Sequence, residues 1–122
     1  MDKKWNFTND RPIYFQIVEQ IKDMIISGAL APGDRVYTVR EISESASVNP
    51  NTVQKAFSEL ERTGLIQTFS TAGRFVTKDT TLITVMKIEK RDEVVGAFLL
   101  EMNRLGFSKD QVLKIITEYE EV

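Results

Sequence analysis

Isoleucines recur at every fourth position, Ile13, Ile17, Ile21 and Ile25, with Tyr14, Val18 and Met24 beside them. A period of this kind predicts an amphipathic helix of about four turns. Pro12 suits its first position, where a missing N–H costs nothing. Gly28 stops it, and Ala31-Pro32-Gly33-Asp34 reads as a turn. Thr38-Val39-Arg40-Glu41 fits a capping box, so a short helix runs from there to about Ser45 or Ala46. After a tight link, Asn49 is a good N-cap and Pro50 a good first residue for a third helix, which runs to Gly64. Its apolar positions Val53, Ala56, Phe57 and Leu60 share one face. Leu65–Phe69 and Arg74–Thr77 then read as two short strands joined through Ser70-Thr71-Ala72-Gly73. Residues 1–10, polar with Trp5 and Phe7 among them, read as an arm.

The remainder, from Asp79, admits two readings at its start. Thr80–Met86 is rich in β-branched residues, as a strand would be, yet Val85, Ile88, Val95, Leu99 and Met102 form a stripe spaced like a heptad seam. The stripe favours a helix, although Asp92 interrupts it and Gly106 ends it. Ser108 with Gln111 makes another capping box and opens a last helix carrying Val112, Leu113, Ile115 and Ile116. The expected fold is therefore mainly α with a small β-hairpin wing. A winged helix-turn-helix over residues 1–78 is followed by a two-helix segment over 79–122.

Composition removes most catalytic chemistry. With no histidine and no cysteine among 122 residues, the usual zinc sites, Ser-His triads and Cys-His pairs cannot be built. No acidic metal loop and no Gly-rich phosphate loop is present, so neither an enzyme nor a cofactor or metal is expected. No run approaches a membrane span, the start has no apolar signal core, and the lack of cysteine fits a reducing cytoplasm. Net charge is −2, which argues mildly against nucleic acid until it is divided along the chain. Residues 1–78 hold ten Lys+Arg against nine Asp+Glu, whereas the tail holds six against nine. The front is nearly neutral and the tail is acidic.

Within that front, the start of the third helix is unusual. Acids are favoured where a helix begins, because that end of the macrodipole is positive, yet Asn49 through Ser58 contain none. At 100° per residue, Asn51, Lys55, Ser58 and Arg62 point away from the apolar face, with Thr52 and Gln54 on the flanks. Asn and Gln can pair in two places with adenine, Lys can reach guanine or phosphate, and Thr can meet a thymine methyl group. Free N–H groups at the same end suit a backbone phosphate. A well-capped helix start on a solvated surface would look similar, but the capped helix before it and the hairpin after it favour a recognition helix.

Five separated blocks occur in an order that resembles the GntR family of bacterial transcription regulators. They are Pro12–Ile17, Gly28–Gly33, Thr38–Glu41, Val48–Ala56 and Leu60–Ile66, closed by Phe75-Val76. The short two-helix tail resembles the YtrA subfamily, which lacks a large effector-binding domain. The resemblance implies DNA contacts from Thr38 and Arg40 on the scaffold helix, and from Asn49, Asn51, Thr52, Gln54 and Lys55 on the recognition helix. It implies Gly73 and Arg74 in the wing. A salt bridge to Glu44 is the plainer role for Arg40, and a solvated surface position the plainer one for Lys55. Two departures stand out. Tyr37-Thr38 replaces the usual Pro-Ser, leaving Tyr37 as a further phosphate contact. Thr71 replaces the first wing glycine, so Arg74 is expected to enter or flank a narrow minor groove instead.

Forty-four residues rarely support their own core, so the tail's apolar side chains need a partner surface. A second copy of the chain is the economical one, with Val95, Phe98, Leu99, Met102, Leu113 and Ile116 at the seam. The expected partners are double-stranded DNA and a second subunit, and an inverted-repeat operator follows. A tail folded back on its own winged helix is the alternative. No residue points to the site of an unknown small-molecule effector. The expected function is a dimeric DNA-binding regulator, a repressor by preference. A winged helix used only for protein contacts is the competing reading, and it would call for an apolar or acidic recognition face.

Overall fold

The computed structural model describes residues 3–121. Five helices flank one hairpin in the order α1 (Ile13–Ile26), α2 (Val39–Ala46), α3 (Pro50–Arg62), β1 (Ile66–Phe69), β2 (Gly73–Val76), α4 (Thr80–Arg104) and α5 (Lys109–Glu118). The expected winged helix-turn-helix is present. The chain divides into two compact units, residues 1–85 and 86–122. Its first turns place α4 in the first unit, where Leu82 packs so close to Gly64 that a Cβ there would lie 3.3 Å from it.

The first unit is built around α3, which packs on α1, α2 and β1. Ile17, Ile21 and Ile25 of α1, Ile42 of α2, and Val53, Ala56, Phe57 and Leu60 of α3 are at most 2% exposed. Burying one such side chain stabilises the fold by about 1.5–3 kcal/mol. The helix ends follow the local signals. Thr38 and Ser108 each close a full capping box, Asn49 caps α3, and Pro50 is its first residue. Pro12 differs by one position: its ψ of 141° makes it the N-cap of α1, and Ile13 begins the helix.

Two local arrangements go beyond the sequence reading. The arm is not free of the core: residues 1 and 2 lie outside the described part, but Trp5 stacks on Phe7 and the chain runs along α1. Gln16, only 2% exposed, accepts from the Thr8 N–H at 2.8 Å and donates to the carbonyls of Thr8 at 2.9 Å and Arg11 at 2.8 Å. A buried amide is thereby satisfied on both its oxygen and its nitrogen. The second is a third strand-like edge. The Gly33 and Val36 N–H groups donate to Val76 and Arg74, and the Val76 N–H donates to Asp34, so residues 33–36 line the free side of β2. The hairpin itself pairs Ile66 with Val76 and Phe69 with Gly73, closed by a 3-10 turn at Ser70–Ala72.

The β-branched run is helical, opening α4 in the first unit, and α4 continues into the second. It ends where Gly106, at φ 97°, lets the Phe107 N–H reach the Met102 carbonyl at 3.0 Å. Val112 is the second unit's one buried hydrophobic residue among those described.

Replacing Gln16 by Ala strips four hydrogen bonds from the arm, the longest being the 3.4 Å bond from the Thr8 hydroxyl. The expected cost is ~1–3 kcal/mol, read by chemical denaturation, with faster proteolysis between residues 3 and 11. Unchanged stability and proteolysis would show that the arm contributes nothing to the fold.

Candidate nucleic-acid interface

The link between α2 and α3 sets how α3 is presented. Ser47 takes the left-handed region at φ 55°, unusual for a residue with a side chain. The Val48 N–H reaches the Ser43 carbonyl at 3.1 Å while Ser43 Oγ donates to the Val48 carbonyl at 2.6 Å. Those two bonds hold the turn closed. Ahead of α2, the Thr38 N–H donates to the Glu41 carboxylate at 3.1 Å. That bond, with the Thr38 hydroxyl, holds the Glu41 carboxyl below its ordinary range.

The first turn of α3 contains no acid. Its N–H groups are nevertheless taken within the chain. Asn51 N–H donates to Asn49 Oδ1 at 2.8 Å, and the Thr52 and Val53 N–H groups point at the Asn49 carbonyl. The expectation of vacant N–H donors is corrected here: Pro50 brings no N–H and the Asn49 cap uses the rest. What this end offers outward is its positive field and its side chains. Asn49, Asn51, Gln54, Lys55 and Ser58 are exposed and Thr52 is half-buried, while the opposite face is sealed in the core.

The cations of the site are engaged in different ways. Arg40 is exposed and Nε donates to Glu44 Oε1 at 2.9 Å, the i,i+4 pair that competed with a DNA role. At such exposure the pair is screened by water and contributes little to stability. Lys55 Nζ lies 3.9 Å from the centre of the Tyr14 ring on α1, a cation–π contact that restrains an otherwise mobile side chain.

Arg74 turns toward α3. Its Nε donates to Glu61 Oε1 at 2.8 Å, its Nη2 reaches Gln54 Oε1 at 3.3 Å, and its guanidinium sits 4.7 Å from the Phe57 ring centre. Thr68 donates to the same Glu61 oxygen at 2.8 Å. The Arg74 hydrogen bond is the main reason that the Glu61 carboxyl is held low, against the opposing effect of burial. Gln54 and Arg74 are therefore brought together, through a strut that ties the wing to α3. The orientation expected for Arg74, outward into a minor groove, is not the one observed, because Glu61 offers it a charge-assisted partner. Gly73 adopts φ 110° and ψ −159° at the wing, a conformation that favours glycine.

The residues expected at a subunit seam lie in the second unit. Val95, Phe98, Leu99, Leu113 and Ile116 line one open apolar concavity of about 450 Å³, together with Val94, Val112 and Lys109. Met102 is half-buried and lies outside its lining. Among the described residues no three acidic side chains gather as a metal site would require, and no helix is long and apolar enough to cross a membrane. Sequence reasoning missed Tyr14, Glu61 and Arg35 as neighbours of the site. Only the packing of α1 and the wing on α3 reveals them.

A capped scaffold helix, a polar-faced third helix and a hairpin wing define a winged helix-turn-helix of the DNA-binding kind. Residues 13–76 match the family of bacterial regulatory proteins, gntR family, and the chain belongs to that family. It is 38% identical over 92 residues to the HTH-type transcriptional repressor YtrA of Bacillus subtilis, covering 70% of this chain and 71% of that protein. A GntR family transcriptional regulator from Listeria monocytogenes superimposes with a TM-score of 0.85 at 33% identity, over 93% of this chain and all of that one. AraR(DBD) in complex with operator ORX1 matches with a TM-score of 0.54 at 26% identity, over 63% of this chain and 93% of that one. The family expected from the motif blocks and the YtrA likeness expected from the short tail are borne out. The chain is a transcription regulator and not an enzyme.

The strut makes a pH-dependent prediction. A carboxyl whose folded pKa is lowered adds stability above its unfolded pKa, and that stability is lost as pH falls through the folded value. Glu61→Gln should lower stability by ~0.5–1 kcal/mol at neutral pH, a charged hydrogen bond discounted for screening. The difference from wild type should close below the ordinary Glu value of 4.5. Thermal melts of both proteins across that range check this, and a gap that stays constant into acid would rule out the strut as its source.

Proposed function

We propose that the chain acts as a homodimer that reads an inverted-repeat operator through α3 and represses transcription there. The observation that carries this reading is the outer face of α3. It presents amides, hydroxyls and one lysine on a helix start kept free of carboxylates, while its other face is locked into the core. Such a face suits base edges in a major groove, with Thr38, Arg40, Asn49, Asn51, Thr52, Gln54 and Lys55 as the contacting set and Gly73 at the wing. Arg74 serves that set by holding Gln54 and the wing in place. The operator complex of AraR(DBD) and the repressor YtrA support DNA as partner and repression as outcome. The cytoplasm is where such a target lies.

Dimerisation is assigned to the second unit, residues 86–122. Its concavity leaves Val95 49%, Leu113 55% and Ile116 56% exposed, and the closed symmetry of a two-fold pair would cover the same surface on both copies. Two recognition helices then fall about one DNA turn apart. A winged helix used only for protein contacts would be expected to show an apolar or acidic α3 face, and this one is neither.

Selection from a pool of random duplexes tests both halves. Wild type should enrich an inverted repeat, and Leu99→Asp should sediment as a monomer and lose the repeat while keeping the same fold by circular dichroism. Selection that enriches nothing would move the protein-contact reading to the front. A Leu99→Asp protein that still sediments as a dimer would show the seam lies elsewhere.

A further inference from the structure

We propose that Arg35, in the segment joining α1 to α2, is the wing's DNA-facing cation and contacts a backbone phosphate beside Gly73. The inference rests on the DNA-binding reading and adds to it a residue that none of the motif blocks contains.

The placement follows from strand geometry. Residues 33–36 run along β2, and Arg35 stands opposite Phe75. Side chains alternate across a strand, so Val36 and Val76, 3% and 1% exposed, face the core. Arg35 and Phe75 share the outer face with Gln67, Phe69 and Gly73, as the pairing of Gln67 with Phe75 and Phe69 with Gly73 requires. On that face the Arg35 guanidinium lies against Gly73, where an added Cβ would be 3.3 Å from Nε and 3.5 Å from Nη2. The wing glycine and a cation thus occupy one spot.

Three further observations separate Arg35 from an ordinary surface arginine. It is exposed, and no side chain among the described residues pairs with its guanidinium at ion-pair or hydrogen-bond distance, in contrast to Arg40, Arg62 and Arg74. Behind the Thr38 hydrogen bonds, its charge adds to what holds the Glu41 carboxyl at the start of α2 low. Arg74, the other wing arginine, is committed to Glu61 and Gln54. A guanidinium resting on bare backbone has its N–H donors open to one side, which matches a phosphate. A contact to backbone phosphate carries no base information, so it is expected to be independent of sequence.

The test compares wild type, Arg35→Gln, Arg35→Lys and Arg40→Ala across a salt series. Each is measured on the duplex that wild type enriches and on a random-sequence duplex. Gln keeps a polar side chain but lacks the charged guanidinium that lies against Gly73; melting temperatures check that the fold is retained. The expected result for Arg35→Gln is a roughly threefold to tenfold loss on both duplexes, with the slope of log affinity against log salt reduced by about one. Arg35→Lys should restore most of both. Unchanged affinity and slope for Arg35→Gln, while Arg40→Ala binds weakly, would overturn the assignment of Arg35 alone. A loss confined to the enriched duplex would overturn the phosphate contact. Wild type that binds neither duplex would instead remove the DNA-binding reading on which it rests.

Discussion

Phe57 is where the requirements of this small fold meet. Its ring is fully buried beneath the wing, it belongs to the apolar face that fastens α3 to α1, and Arg74 crosses over it to reach Glu61. Because Val53, Ala56, Phe57 and Leu60 are all withdrawn from water, α3 has no rotational freedom about its own axis. Its other face is then fixed as the outer surface. The helix that is best anchored in the core is therefore the one whose polar residues are held in a defined direction. That rigidity is what a groove-reading element needs, since a reading side chain must be placed by something that does not move.

Around that helix, electrostatics is arranged to leave its start uncommitted. Three acids on α2 and α3 are paired with arginines: Glu44 faces Arg40, Glu59 faces Arg62, and Glu61 faces Arg74. The first turn of α3 has no such pairing because it has no acid to pair. Its N–H donors are satisfied by the Asn49 cap, so the helix does not depend on DNA for its own hydrogen bonds. The positive field remains, and with a chain of net charge −2 this local feature matters more than the total. On the proposed reading, attraction to phosphate comes from a few positions and not from a general basic surface.

What could be read in the sequence was whatever is decided over short distances. Thr38 with Glu41, Ser108 with Gln111, and Asn49 with Pro50 declare helix starts within four residues, and all three are realised. The β-branched run at Thr80–Met86 was ambiguous locally, and the longer apolar stripe decided it for helix. Residue types at the site were equally legible, since the lack of acids and the amides of α3 need no partner to be noticed. Their partners were not. That Lys55 rests on Tyr14 depends on how α1 crosses α3, and that Arg74 turns inward depends on Glu61 lying thirteen residues earlier on another element. The edge at residues 33–36 is too short for an alternating pattern to show, and it exists only because β2 leaves one side open. Arg35 went unnoticed for that reason.

If DNA occupies the start of α3, the lack of carboxylates there serves binding and not the stability of the helix. Asn51→Asp, measured for thermal stability and for duplex affinity side by side, addresses it most directly. An acid in the first helical turn favours the helix by about 0.3–1 kcal/mol, so a purely structural surface would gain stability and lose nothing. The expected result is a fold as stable as wild type or more so, with affinity for the enriched duplex reduced roughly tenfold or more as the carboxylate meets phosphate and base edges. Raised stability with unchanged affinity would contradict it and place the helix start away from the DNA.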